Sequence, residues 1–229
     1  ERKFHNYTQA AAQGFKLGLT ITPNHVFRNQ VTPENTAIHT PRMFGQLLCP
    51  SKPGTLEIIL GNYRNLFEDF KRRGLDLSML SFGAYDYGGC ACDACAPWIV
   101  AFGRLAQAIA GVGREVFGRQ EIQLWCWWWD QQEHADFSAW ADREAPGLFT
   151  FAAQHIKYGQ TEYGTCPLPQ GCANGGFVHV GYGDVFGADR IGSYGHFGQV
   201  IAPERLKRTL DYHRQRRAGG FLAYCESDA

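Results

Sequence analysis

The sequence lacks an excess of charge of either sign. It carries 22 Lys and Arg against 22 Asp and Glu, a formal net charge of zero. Proteins that grip nucleic acid or an anionic membrane present a basic face, so this balance supports neither partner. No apolar run reaches the roughly 18 residues that a membrane span requires, so no membrane is expected. Nucleotide and hydrolase signatures are missing as well. No G-x-G-x-x-G follows an early strand-like run, and there is no P-loop, no G-x-S-x-G and no H-E-x-x-H. The opening stretch, "ERKFHNYTQAAAQG", has neither a Met nor an apolar signal core. Internal repeats and low-complexity linkers are also missing.

What is present is an ordinary core composition with an aromatic surplus. Hydrophobic residues make up 45% and charged residues 19% of the chain, which suits a buried globular core. Aromatics reach 14%, with six Trp, and there are 27 Gly. That combination fits either an aromatic core with many turns or a stacking surface for a flat ligand.

Short apolar runs alternate with helical patterns. Strands are expected at 17–22, 77–85, 122–129, 148–154, 177–183 and 220–226, with a short extended piece at 45–50. Helices are expected at 56–73, 98–117 and 203–217, where apolar residues recur at helical spacing. The strands read as nearly continuous apolar runs, as they do when helices cover both faces of a parallel sheet. The expected fold class is α/β, a parallel (β/α) barrel of TIM type. A full barrel takes eight strands and about 250 residues. The six strands here, preceded by a helix-like start, predict a single barrel domain over 1–229 that lacks its first one or two strands. The rest of the same polypeptide is then expected to lie outside this chain.

Several strands end in polar residues: Asp86, Asp130, Gln154, Asp184 and Glu226. Barrel enzymes collect their chemistry at the C-terminal ends of the strands. Asp also favours turns on its own account, so the argument rests on the set. In "LWCWWWD", strand alternation puts Leu124, Cys126, Trp128 and Asp130 on one face. If that face points into the barrel, Trp128 and Asp130 reach the mouth together. Tyr87, Tyr182 and Trp128 add stacking surface there, and His179 is a further site candidate.

Cysteine is the most specific signal. Cys90, Cys92 and Cys95 form C-x-C-x2-C, with Cys49 one strand–helix unit upstream in "LLCPSKPG". Four closely placed thiolates suit a tetrahedral, closed and therefore structural zinc site. A disulfide with leftover thiols and an iron–sulfur cluster are the alternatives. Cys166 and Cys172 allow a disulfide, a second metal contact or two free thiols. Cys126 reads as a small core residue.

The run "QLLCPSKPG", the strand ending "YDYGGCACDACAPW" and the late strand "GGFLAYCES" resemble a segment of barrel glycoside hydrolases. The similarity is to the α-glucuronidase/hexosaminidase-like group and its uncharacterised relatives. The cysteine loop and the Cys49 stretch carry it specifically. The resemblance implies a (β/α)8 catalytic domain acting on carbohydrate, with a rim carboxylate that maps onto Asp86. In hexosaminidase-type barrels the acid is the Glu of an Asp-Glu pair at that strand end, whereas Tyr87 follows Asp86 here. Glu226 and Asp130 enter as partner carboxylates by position at strand ends. The expectation is a carbohydrate-active protein, a glycoside hydrolase that cleaves glycosidic bonds with rim carboxylates and carries a structural four-cysteine zinc site. A non-catalytic carbohydrate-binding barrel and a zinc-stabilised protein without a sugar ligand are the alternatives.

Overall fold

In the computed structural model, residues 2–38, 47–84, 89–157, 160–179 and 203–224 are described. Apolar spacing sets the helices. After α1 (Arg2–Ala12), α2 (Thr55–Arg72) buries Ile59, Phe67 and Phe70, and α3 (Trp98–Phe117) buries Ile99, Phe102, Leu105, Ile109 and Val112. These residues recur three and four apart, so each set forms one stripe facing the sheet. α5 (Pro203–Gln215) opens on Pro and Glu, where a missing N–H and a negative charge suit a helix start.

Six strands, β1 (Leu17–Ile21), β2 (Leu77–Gly83), β3 (Glu121–Cys126), β4 (Phe151–Gln154), β5 (Ala173–His179) and β6 (Gly220–Tyr224), form one sheet. Their spatial order is their chain order and every pairing is parallel. The sheet curls into a half-barrel. β1 and β6 are its two edges among the described residues.

The two faces of the curl have different cores. The outer face carries Leu19, Leu80, Phe82, Ile122, Leu124, Cys126 and Ala152, all buried in one cluster with residues of α2, α3 and the helix at Gln131–Glu144. The concave face holds a second, smaller cluster of Trp125, Trp127, Ala153 and Phe177, with Phe151, Leu222 and Tyr224 packed on it. Large and small residues interlock across this face. A Cβ at Gly83 would stand 2.7 Å from the Trp125 indole, so the ring takes the place of a side chain on β2. Parallel strands bring that indole directly across, because Gly83 pairs with Trp125.

Three differences from the sequence reading matter for the site. β3 stops at Cys126 rather than running to 129, and Trp128 adopts φ 58 in the turn that follows. An unexpected helix, α4 (Gln131–Glu144), begins at once. Its polar first turn and mixed apolar spacing hid it behind the Trp run. Finally, β5 begins at Ala173, four residues before its expected start, because Gly175 and Gly176 pair with Gly220 and Phe221 of β6 despite their weak strand preference; residues 180–183 of the expected strand lie outside the described residues. Among the described residues of the β4–β5 connection, 155–157 and 160–172, no helix occurs. This stretch instead runs as a strap held by side chains of α4, of α5, where the Tyr212 hydroxyl donates to the Tyr163 carbonyl at 2.5 Å, and of Arg216 just beyond α5. The Gln131 amide donates to the Thr165 carbonyl at 3.2 Å, and the Gln170 N–H to Asp142 Oδ1 at 2.6 Å. The Arg216 guanidinium donates to Thr165 Oγ1 at 3.0 Å.

Candidate functional site

Two features meet at the C-terminal edge of the sheet. The first is the cysteine cluster. The long β1–α2 connection folds back on itself through bridges between His25 and Leu47 and between Thr36 and Leu48. It is then tied to the loop that follows β2. The Ala91 N–H donates to the Ile38 carbonyl at 3.1 Å, and the Ile38 N–H to Cys90 Sγ at 3.2 Å. Ser51 Oγ donates to the Ala94 carbonyl and lies 3.1 Å from Cys95 Sγ. These contacts draw the four sulfurs of Cys49, Cys90, Cys92 and Cys95 within 4.8 Å of one another. Cys49, Cys90 and Cys95 are buried and Cys92 is partly exposed.

The spacing fits a metal better than a disulfide. Cys49 Sγ is 3.7 Å from Cys92 Sγ and 3.6 Å from Cys95 Sγ. A disulfide needs about 2.05 Å. Sulfurs at the corners of a tetrahedron around an ion with bonds of about 2.3 Å stand about 3.8 Å apart. The chemistry of the donor set agrees. Burial pushes the Cys49 thiol up to about 11 and raises Cys95 further. At Cys92 burial acts in the same sense, but hydrogen bonds from Cys95, Cys90 and Cys49 outweigh it and lower the thiol. Three thiols taken out of water beside one that ionises more readily form a set that a cation would complete. The four cysteines can therefore hold a metal ion, with the Ile38 N–H placed to stabilise the Cys90 sulfur.

The second feature is an aromatic row at the rim of the concave face. Trp127 is 2% exposed and sits centrally, with ring centroids 4.5 Å from His155, 5.3 Å from Phe177 and 5.3 Å from Tyr224. His155 extends the row to Trp128, again at 4.5 Å. His179 lies beneath, stacked on Phe177 at 5.9 Å and buried. Its Nε2 is 2.8 Å from the Ile156 carbonyl, which accepts the bond, so Nε2 carries the proton. Arg205 secures the same strand end by donating to the His179 carbonyl at 3.0 Å.

The residues expected at the site divide into three groups. Cys49, Cys90, Cys92 and Cys95 come together as expected. Trp128 and His179 both reach the aromatic region, but by different routes. His179 is under the surface, while Trp128 is 38% exposed. The shared face of Leu124, Cys126, Trp128 and Asp130 does not exist: Leu124 and Cys126 point at the helices, and strand alternation ends before Trp128. Asp130 is the N-cap of α4. Its Oδ1 accepts from the Glu133 N–H at 2.8 Å, and Glu133 Oε2 accepts from the Asp130 N–H at 2.9 Å. Glu133 also accepts from the Trp98 indole at 2.8 Å, which docks α4 on α3. Asp86, Tyr87, Tyr182 and Glu226 lie outside the described residues, as do Asp184 and Cys225.

Cys166 and Cys172 form no disulfide; both are free thiols along the strap. Cys166 Sγ accepts from the Gln131 amide at 3.2 Å instead. Cys126 is fully buried among apolar neighbours, as expected of a core residue. Sequence reasoning missed Trp127 and His155 as rim residues. Trp127 was legible once β3 is read on its other face, since Trp125 and Trp127 alternate with Leu124 and Cys126. His155 carries no local signal, because a polar residue after a strand is common. No family model matches the chain, and no curated protein matches its sequence.

Proposed function

We propose that this chain is a segment of a TIM-type barrel that acts on carbohydrate as a glycoside hydrolase, with a structural zinc ion held by Cys49, Cys90, Cys92 and Cys95. The rest of the barrel is supplied by further sequence of the same polypeptide. The observation that carries the reading is the thiol cluster, which clamps the connections after β1 and β2 together at the C-terminal edge of the sheet. That is the edge where parallel barrels gather their chemistry.

A four-thiolate zinc has no open position, so its contribution is to cross-link backbone rather than to activate water. Glycosidic cleavage then falls to carboxylates. One must be protonated to assist the leaving group, and a second must act as base or nucleophile. Asp86 lies between the end of β2 and the clamped Cys90 in sequence, and is the proposed acid or substrate-orienting group. Glu226, two residues beyond β6, is the proposed partner. Asp130 is the weaker partner, because its carboxylate already caps α4. The aromatic row supplies a surface for the apolar faces of a sugar.

The deciding experiment uses the full-length protein. It combines metal analysis of anaerobically purified material with hydrolysis of aryl glycosides by the wild type and Asp86→Asn. The expected outcome is close to one zinc per chain, and turnover reduced by about 100-fold or more in the variant, as for loss of a general acid. Iron in place of zinc, or substoichiometric metal, overturns the zinc assignment. Unchanged turnover removes Asp86 from the mechanism. Sugar binding without hydrolysis at any pH supports a non-catalytic carbohydrate-binding barrel. Tyr87, at the place where the resembling enzymes have an acid, favours that second reading.

A further inference from the structure

The three consecutive tryptophans after β3 have three different fates. Trp127 belongs to the concave core and Trp129 to the helix-side core, at 2% and 9% exposure. Trp128 belongs to neither and is 38% exposed at the rim. Its backbone is also unusual. Trp128 and Arg217 are the non-glycine residues with positive φ among those described, and Trp128 sits at φ 58. A bulky side chain in the left-handed region is strained. Gly or Asn would serve the same turn with less cost. The turn therefore does not call for an indole, and neither core uses it.

The imidazole of His155 packs against the indole. This half-buried imidazole follows β4 and lies 4.5 Å from both Trp127 and Trp128. The Trp127 and Trp128 rings are perpendicular, at 90°. His155 is wedged in the corner between them. The result is a flat, partly open aromatic surface at the mouth of the concave face, with the His155 ring at its side.

We propose that Trp128 is the stacking platform for one pyranose ring of a neutral carbohydrate, and that His155 is a positioning residue that holds the indole at its working angle. This inference rests on the carbohydrate reading above and names a subsite within it. The C–H face of a pyranose packs on an indole. A nucleotide would need a phosphate-binding loop, and no P-loop or dinucleotide fingerprint is present.

The test titrates the full-length, zinc-loaded protein with neutral oligosaccharides of glucose, xylose, mannose and galactose, read by tryptophan fluorescence and by calorimetry. Four variants are compared: Trp128→Gly, Trp128→Phe, His155→Ala and His155→Phe. At least one oligosaccharide is expected to bind the wild type. Trp128→Gly should weaken that binding at least tenfold while the thermal midpoint stays level or rises, because the substitution relieves the positive φ. Trp128→Phe should keep most of the affinity. His155→Ala should weaken binding severalfold, and His155→Phe, which restores a flat ring in the wedge, should recover it. An oligosaccharide that binds Trp128→Gly as tightly as the wild type overturns the platform and leaves the carbohydrate reading standing. No binding of any oligosaccharide to the wild type overturns both. Equal losses in His155→Ala and His155→Phe remove the positioning role.

Discussion

At the scale of single residues, the chain shows how one side chain type takes on different tasks through its backbone setting. Asp130 looks like a strand-end carboxylate in sequence, but the strand ends at Cys126 and the Asp becomes a helix cap. Its reciprocal bonds with Glu133 satisfy N–H groups that a helix start leaves open. Asp130→Ala is expected to lower stability by about 1 kcal/mol, the usual cost of losing a cap. Asp130→Asn, which still accepts the Glu133 N–H, should recover most of it. Urea denaturation measures both. If Asp130→Asn abolishes hydrolysis while remaining fully stable, the carboxylate has a chemical role beyond capping. The cysteines divide in a similar way. Cys126 is enclosed by apolar side chains, which raises its thiol well above the ordinary range. In the four-cysteine cluster, Cys49, Cys90 and Cys95 are buried beside one another and Cys92 is partly exposed.

At the scale of elements, the β4–β5 strap is the least regular part of the described fold, and its anchorage is polar. The buried His134 of α4 lies against the strap at Pro167, and burial pushes its imidazole down to about 4. The sign of the pH effect follows. Between an unfolded value near 6.5 and the folded value near 4, the unfolded chain binds the proton and the folded one does not. Stability is therefore complete above about pH 6.5 and declines as the pH falls towards 4, by up to roughly 3 kcal/mol. His25 and His213 are also lowered by burial and act in the same direction. Chemical denaturation at pH 7.5 and pH 4.5 should show the drop. His134→Gln should make the dependence shallower, even if it lowers stability at pH 7.5. An unchanged slope in that variant would place the pH sensitivity elsewhere.

At the scale of the whole molecule, the described structure is a curled parallel sheet with one thick, helix-covered core outside and a thin aromatic core inside. The clamp at Cys49, Cys90, Cys92 and Cys95 links segments more than 40 residues apart in sequence. Metal removal by a strong chelator is thus expected to increase hydrogen exchange in residues 22–38, 47–54 and 89–97. The central strands β3, β4 and β5 should keep their protection, because their pairing and packing do not pass through the cluster. Uniform loss of protection across the sheet would show instead that the metal holds the whole fold together. β6 carries a contrasting feature: Phe221 on its outer face is 55% exposed, where the helices cover the equivalent residues of β2 and β3.

Much of this organisation was legible in the residues. Near-continuous apolar runs separated by amphipathic stretches specify a parallel α/β sheet, because strands covered on both faces have no polar face to show. The C-x-C-x2-C spacing with Cys49 upstream specified the cluster, because short-range thiols need only one loop to converge. Tertiary structure alone decided which face of β3 looks inward, since alternation fixes the two faces but not which of them meets the helices. It also decided where β3 ends, because the turn at Trp128 overrides an unbroken run of strand-favouring aromatics. And it brought His155 against Trp128, a contact between two connections that no local pattern announces, since it depends on neighbouring strands ending side by side.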